Sequence, residues 1–325
     1  MLKAARSSVS IGIIAALTNV FFWGIASPII KSALDVISPY VFLYYRFIIV
    51  LAITTPVLFL MRKKFNTIRS PKQLVQMLGI GVLTHPLTLG LLFIGLQYTT
   101  SSSAAVLIGL APLFIVIASW VFLKERITRH ELLGILLASV GTAIILFDTP
   151  VQAHATNPLL GNSIILLSNV IWTIGVLAMK KLSLKHSPFL FGYTGWFTGM
   201  VTFGVITFFT DRALFLRPLI LTQLPQAVFP ILYMALFGSI VAFTAYQVAQ
   251  KHLEASQVSI FSYLTPLVAV PIAFLWLKEQ LGVWFLVGAV IIATGVIIAE
   301  IHPKSRFHTL RKSVVGKRRN VSSSE

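Results

Sequence analysis

Ten runs of mostly apolar residues, near 11–34, 38–61, 74–97, 102–123, 130–147, 159–180, 188–210, 226–249, 256–277 and 282–300, dominate the chain. Each approaches the roughly 20 residues that an α-helix needs to cross the hydrocarbon core of a bilayer. The chain is 57% hydrophobic and 11% charged, whereas a soluble domain averages about 45–50% apolar and about 25% charged residues. A membrane β-barrel would alternate apolar and polar residues in short segments, and these runs are long and unbroken. Helices satisfy their own backbone groups in lipid, so the sequence predicts an all-α integral membrane protein with ten transmembrane helices.

Ten spans put both termini on one side and make the connections alternate between faces. Twenty-one of the 26 Lys and Arg residues fall on one set of connections, beginning with Lys3 and Arg6 and ending with the cluster in 304–319. Only Lys31, Arg212, Arg217 and Lys278 fall on the other set, and Arg46 lies inside a run. This bias predicts cytoplasmic N and C termini and a multi-pass protein of the cell membrane, plasma or inner. The net charge of +17 therefore does not point to nucleic acid, because a basic nucleic-acid binder carries its charge on a folded soluble domain. Lys3, Arg6 and the small residues near Ala26 mimic a signal peptide, but the length of the first run and its later counterpart argue for retention. The polar, Ser-rich stretch 302–325 reads as a disordered cytoplasmic tail that lies on anionic lipid. No Cys is present, which excludes disulfides, thiolate metal sites and a Cys nucleophile.

The chain repeats itself. At an offset of 154 residues, Ala111-Pro112-Leu113 meets Thr265-Pro266-Leu267, and Phe122-Leu123-Lys124-Glu125 meets Trp276-Leu277-Lys278-Glu279. The same offset pairs Gly134 with Gly288 and Gly141 with Gly295. Near the start of each half the offset is 150, pairing Asn19-Val20 with Asn169-Val170 and Lys31 with Lys181, and then 149, pairing Ser38-Pro39 with Ser187-Pro188. The expected organisation is a cytoplasmic N-terminus (1–10), a first repeat (11–148), an external linker (149–157), a second repeat (158–301) and the tail. Five helices is an odd number, so the second repeat enters the membrane from the opposite side. Inverted repeats of this kind recur in secondary transporters.

The pattern running from Ala111-Pro112-Leu113 through Leu123-Lys124-Glu125-Arg126 to Gly134 and Gly141, echoed by Pro266, Lys278-Glu279, Gly288 and Gly295, resembles the EamA signature. The chain is similar over nearly residues 10–300 to two-EamA members of the drug/metabolite transporter superfamily. The resemblance implies a ten-helix secondary carrier, many such carriers being exporters of amino acids and related metabolites. It marks Pro112, Glu125, Pro266 and Glu279 as family motif positions. One departure is that Lys124 and Lys278 stand where a Gly commonly precedes the family's Glu.

Few polar residues lie within the runs. Arg46 sits about eight residues into the second, roughly 12 Å from its outer end at 1.5 Å per residue, where an Arg must face a wet cavity or a partner. It reads either as an anchor for a carboxylate or phosphate or as a structural Arg, and its recurrence in EamA sequences favours the structural role. His85, followed by Pro86, is a proton carrier, a substrate ligand or a histidine bonded inside the bundle. The repeat counterparts of Arg46 and His85 are Gly195 and Ser239. Asn19 with Trp23, and Asn169 with Trp172 and Thr173, place polar and bulky groups together on helix faces, for a cavity or for bonds between helices. Tyr44, Tyr246 and Tyr263 line the same space or pack. Glu125 and Glu279 fall at helix ends, where a loop role outweighs coupling, and Thr128 with Glu131 reads as a capping box.

All nine acids fall at or beyond the ends of the runs, so no carboxylate is placed to neutralise a cationic drug. The expected function is a secondary transporter of a small neutral, zwitterionic or anionic metabolite, working by alternating access and in the direction of efflux. The alternatives are a channel, a lipid flippase or a multidrug exporter. Enzyme chemistry finds no support, since His130-Glu131-Leu132-Leu133-Gly134 lacks a second His and no nucleophile elbow or phosphate loop is present. The expected partners are a small-molecule substrate and membrane lipid, without cofactor, metal or nucleic acid, in a monomer or homodimer. A reporter fused after Ala155 is expected to be active outside the cytoplasm; activity in the cytosol would contradict the ten-span topology.

Overall fold

The computed structural model describes residues 2–60, 70–125, 127–148, 156–183, 187–216, 224–278 and 284–300. Among these residues the regular structure is entirely helical. Eight helical stretches are long and apolar enough to cross a membrane: α1 (Ser8–Leu34), α2 (Pro39–Leu60), α3 (Pro71–Tyr98) and α4 (Ser101–Leu123) in the first part of the chain, with α6 (Pro158–Leu182), α7 (Phe189–Thr210), α8 (Pro225–His252) and α9 (Ala255–Leu277) in the second. Two further helices fall where the sequence placed its fifth and tenth runs: α5 (Arg129–Asp148) follows α4, and α10 (Phe285–Glu300) follows α9. Glu279 and the tail 302–325 lie outside the described residues, as does the stretch 149–155 of the expected linker.

Sequence sets where the helices begin. Ser70 and Thr100 accept hydrogen bonds from the amides of Gln73 and Ser103, and Pro71, Pro188 and Pro225 occupy first-turn positions where a missing N–H costs nothing. The capping box that opens α5 is present: the Thr128 amide donates to Glu131 Oε2 at 2.8 Å, and the Glu131 amide to Thr128 Oγ1 at 3.2 Å.

Small residues set which helices touch. α5 and α10 run antiparallel and meet through glycines, Gly134 against Gly295 and Gly141 against Gly288. A Cβ built on Gly288 would lie 2.7 Å from the carbonyl oxygen of Gly141, so the two backbones are in direct contact. Gly95 of α3 and Gly161 of α6 form a second such crossing. α1 packs on α8, α2 on α7 and α4 on α9. The buried apolar residues form a main cluster through most helices and a smaller one joining α5 and α10 to α4 and α9.

Two pairs of helices are broken at equivalent points. α4 is interrupted by a turn at Gly109–Leu110, and α9 by a 3-10 turn at Ser262–Leu264, each just before Pro112 or Pro266 restarts an α-helix. α3 and α8 each widen into π-helix near their middles, over Leu83–Leu87 around Pro86 and over Met234–Val241. Such widening relieves a ladder that has lost a donor and turns side chains to new directions.

α4 and α9 also end alike. Lys124 (φ 55°, ψ 32°) and Lys278 (φ 57°, ψ 26°) are left-handed, and they are the non-glycine residues with positive φ among those described. This gives the departure from the family pattern a structural meaning, because glycine adopts that conformation without a Cβ penalty. Lys124→Gly and Lys278→Gly are each expected to stabilise the protein by about 0.5–1 kcal/mol, the relieved Cβ strain outweighing the extra freedom of the unfolded glycine. Thermal unfolding in detergent checks this; an unchanged or lower midpoint contradicts it.

Candidate functional site

The broken helices converge on an internal cavity of about 110 Å³. α1 contributes Trp23 and Ser27, α2 Arg46, α3 His85, α6 Asn169 and Trp172, and α8 Ser239; the breaks in α4 and α9 supply Ala111, Ser262 and Thr265. Aliphatic and aromatic side chains, among them Leu89, Leu92 and Phe243, fill much of the wall, and no carboxylate lines it.

Arg46 is 4% exposed. Its Nε donates to Ser239 Oγ at 2.8 Å, and the guanidinium lies 5.5 Å from the centre of the Phe47 ring. Nη1 is buried and has no hydrogen-bond partner. A guanidinium offers five N–H donors, so this arrangement leaves part of a buried cation unsatisfied.

His85 is 2% exposed and held in one orientation. The Thr84 hydroxyl gives its proton to the Ile80 carbonyl at 2.9 Å, and His85 Nδ1 lies 3.0 Å from that same hydroxyl oxygen. A hydroxyl that gives its proton to a carbonyl can accept from Nδ1–H, the tautomer in which Nε2 is the acceptor nitrogen. The ring packs edge-on against Phe47 and Phe243, with centroids 5.6 and 4.8 Å away. On another side it lies against Gly195 of α7, where a Cβ would overlap the imidazole. The sequence repeat matches Arg46 with Gly195 and His85 with Ser239. In space the contacts cross over, Arg46 touching Ser239 and His85 touching Gly195.

The structure brings five of the sequence candidates to the cavity wall: Trp23, Arg46, His85, Asn169 and Trp172. Asn169 and Trp23 also serve the backbone, the Asn169 amide donating to the Leu107 carbonyl at the α4 break (2.8 Å) and Trp23 Nε1 to the Gly238 carbonyl in the π-helical part of α8 (2.9 Å). Asn19 does the same for the Ala242 carbonyl at 3.0 Å and is not part of the lining. Tyr246 lies behind the wall, its ring 5.5 Å from that of Trp23 and 5.4 Å from that of Trp172. Tyr263 sits in the smaller apolar cluster with its hydroxyl 2.8 Å from Ser139 Oγ. Tyr44 stacks on Phe215. Pro112 and Pro266 act by restarting helices. Glu125 is not part of the lining and accepts from the amides of Ala255 and Ser256 at 3.1 and 3.2 Å, which caps the start of α9.

Several residues were not singled out from sequence. Ser239, Ser262 and Thr265 bring hydroxyls into the cavity, and serines and threonines are common enough in membrane helices that only the repeat position of Ser239 carried a signal. Lys180 is another case. The repeat aligns Lys31 with Lys181, yet Lys180 makes the matching contact: Lys31 Nζ reaches the Leu96 carbonyl at the end of α3 (2.9 Å), and Lys180 Nζ reaches the Gln250 carbonyl at the end of α8 (2.6 Å). A one-residue shift on a helix moves a side chain by about 100°, so register at this level is invisible to pairwise matching.

A polytopic helical membrane protein with a buried, acid-free central cavity is thus defined by its geometry. The model of the EamA-like transporter family matches residues 10–147 and 159–300, and the chain belongs to that family. It is 27% identical over 212 residues to the uncharacterized transporter YyaM of Bacillus subtilis, covering 65% of this chain and 68% of that protein. An uncharacterized transporter of Archaeoglobus fulgidus is 28% identical over 287 residues, 88% of this chain and 97% of its own. A solved crystal structure shares the fold with a TM-score of 0.70 at 16% identity, covering 91% of this chain and 97% of that one. The relatives are named as transporters, not enzymes, and the protein is a membrane transporter.

The contact of His85 with Gly195 gives a direct check. Gly195→Ala is expected to destabilise the fold by about 1–3 kcal/mol through overpacking. His85→Ala in the same chain should recover most of that loss, a coupling measurable by thermal unfolding of the four members of the cycle.

Proposed function

We propose that this transporter is a secondary carrier that moves a small neutral, zwitterionic or anionic metabolite out of the cell by alternating access. In this reading all ten helices span the cell membrane, both termini are cytoplasmic, and helices α1–α5 and α6–α10 are two inverted repeats.

The observation that carries the reading is the crossing of repeat-related contacts. If two halves are related by a twofold axis in the membrane plane, a contact between one residue and a second residue's counterpart must recur with the roles exchanged. Arg46 with Ser239 and His85 with Gly195 meet that condition, as do Gly134 with Gly295 and Gly141 with Gly288 on antiparallel helices. Within each half, Lys31 on the end of α3 and Lys180 on the end of α8 make similar contacts. Two halves so related can exchange conformations, which exposes one central site to either side. Broken helices at that site, with irregular backbone lining a cavity, fit the same architecture. The absence of a carboxylate from the wall disfavours a cationic drug as cargo.

The chain has no Cys, so single cysteines give an unambiguous readout. Ser27→Cys, from the cavity toward the Leu34 end of α1, and Gln247→Cys, toward the His252 end of α8, are expected to react with an impermeant maleimide from opposite faces of the membrane. Conditions that raise labelling at one should lower it at the other. Labelling of both from both faces at once would indicate a pore. In proteoliposomes the flux of a transported metabolite should saturate with concentration.

A further inference from the structure

We infer that the cavity selects a small organic monoanion, binding its carboxylate at the Arg46 guanidinium and the Ser239 hydroxyl, in preference to a zwitterion or a neutral solute. This inference rests on the transporter reading and narrows its substrate class.

The charge balance of the site is the first ground. Arg46 is a cation on the cavity wall, 4% exposed, with a buried Nη1 that has no partner. Removing one partner from a buried ion pair is strongly unfavourable, because the remaining charge is left uncompensated. Here the protein supplies no counter-charge: no acid lines the cavity. His85, the other titratable group on the wall, can supply no negative charge, and its Nδ1 lies 3.0 Å from the Thr84 hydroxyl. The site thus carries one positive charge and lacks one negative charge. A monoanion supplies it. A zwitterion brings an ammonium for which no carboxylate exists, and a dianion brings a second negative charge without a second cation.

The donor geometry is the second ground. Ser239 Oγ accepts from Arg46 Nε, so the hydroxyl proton points elsewhere and remains available to donate. The Arg46 guanidinium and the Ser239 O–H are therefore donors side by side on the cavity wall, and a carboxylate has two oxygens to receive them through charge-assisted bonds. Ile30, Leu89, Leu92 and Phe93 also face the space and suit a short carbon chain, while Ser262 and Thr265 add hydroxyls.

Volume gives the third: the cavity, about 110 Å³, is smaller than the roughly 300–1,000 Å³ of usual ligand pockets, which fits a small acid.

The test uses the purified full chain in detergent. Trp23 and Trp172 line the cavity, so tryptophan fluorescence reports its occupancy. Propionate, lactate and pyruvate are expected to give a saturable change at pH 7, where they are ionised. Propionamide, lactamide and the zwitterion alanine should bind at least tenfold more weakly, the loss that follows when a charged hydrogen-bond acceptor is replaced. Arg46→Gln should abolish the preference for acid over amide. Should that variant not fold, Ser239→Ala removes one hydroxyl only and should weaken the acids several-fold while leaving the amides unchanged. Amides or alanine binding as tightly as the acids would overturn the inference, as would acids that fail to saturate, or a preference that survives in folded Arg46→Gln. Proteoliposome flux separates this claim from the one beneath it: saturable transport of alanine or of amides without preference for acids keeps the carrier and refutes the anion site. Acid binding without flux of any solute keeps the site and refutes the carrier.

Discussion

In the hydrocarbon of a bilayer a backbone carbonyl that loses its helical donor cannot turn to water, and it must find a donor within the protein. This requirement explains several of the polar side chains inside the bundle. The break in α4 is answered by Asn169, the widened middle of α8 by Trp23 and Asn19, and the ends of α3 and α8 by Lys31 and Lys180. Each of these groups points at a carbonyl because the chain elsewhere gave up a regular helix. The breaks, in turn, create the hollow at the centre, since a continuous α4 or α9 would carry its side chains straight past it. Arg46 stands apart, because part of its donor set has no carbonyl, hydroxyl or acid to meet.

The two parts of the chain use the same plan with different side chains at the centre. One part supplies the large polar groups, Arg46 and His85, and the other supplies the room and the acceptor, Gly195 and Ser239. A pair of arginines would crowd a hollow of this size and double its charge. With Gly195 and Ser239 at the counterpart positions, the cavity wall carries a single arginine. The helix breaks recur in both parts, while the side chains at the centre differ and form one asymmetric site.

Much of this was legible in the sequence. Apolar run length gave the helices at the expected places, because hydrocarbon thickness imposes a length that few other environments demand. Pro112 and Pro266, the glycines of α5 and α10 and the capping box of α5 were readable since each acts through local backbone chemistry. Arg46 and His85 stood out because an ionisable group inside an apolar run is costly. Less legible were roles that depend on what a side chain faces across the bundle. Asn19 and Asn169 have the same sequence context, yet only Asn169 reaches the cavity wall, and Tyr263 turns to Ser139 rather than inward. Lys180 in place of Lys181, and Glu125 as the cap of a distant helix, depend on register and on long-range packing, which one chain read along its length does not reveal. The left-handed lysines were visible only as a mismatch with the family pattern, and their strain became evident from φ.

The glycine seam between α5 and α10 has a mechanical side. Where two backbones touch without intervening side chains, no rotamers can shift to absorb displacement, and sliding would drive one helix's carbonyls over the ridges of the other. The pair can tilt about its contact far more easily than it can shear. The seam therefore holds α5 and α10 to one register along their shared length.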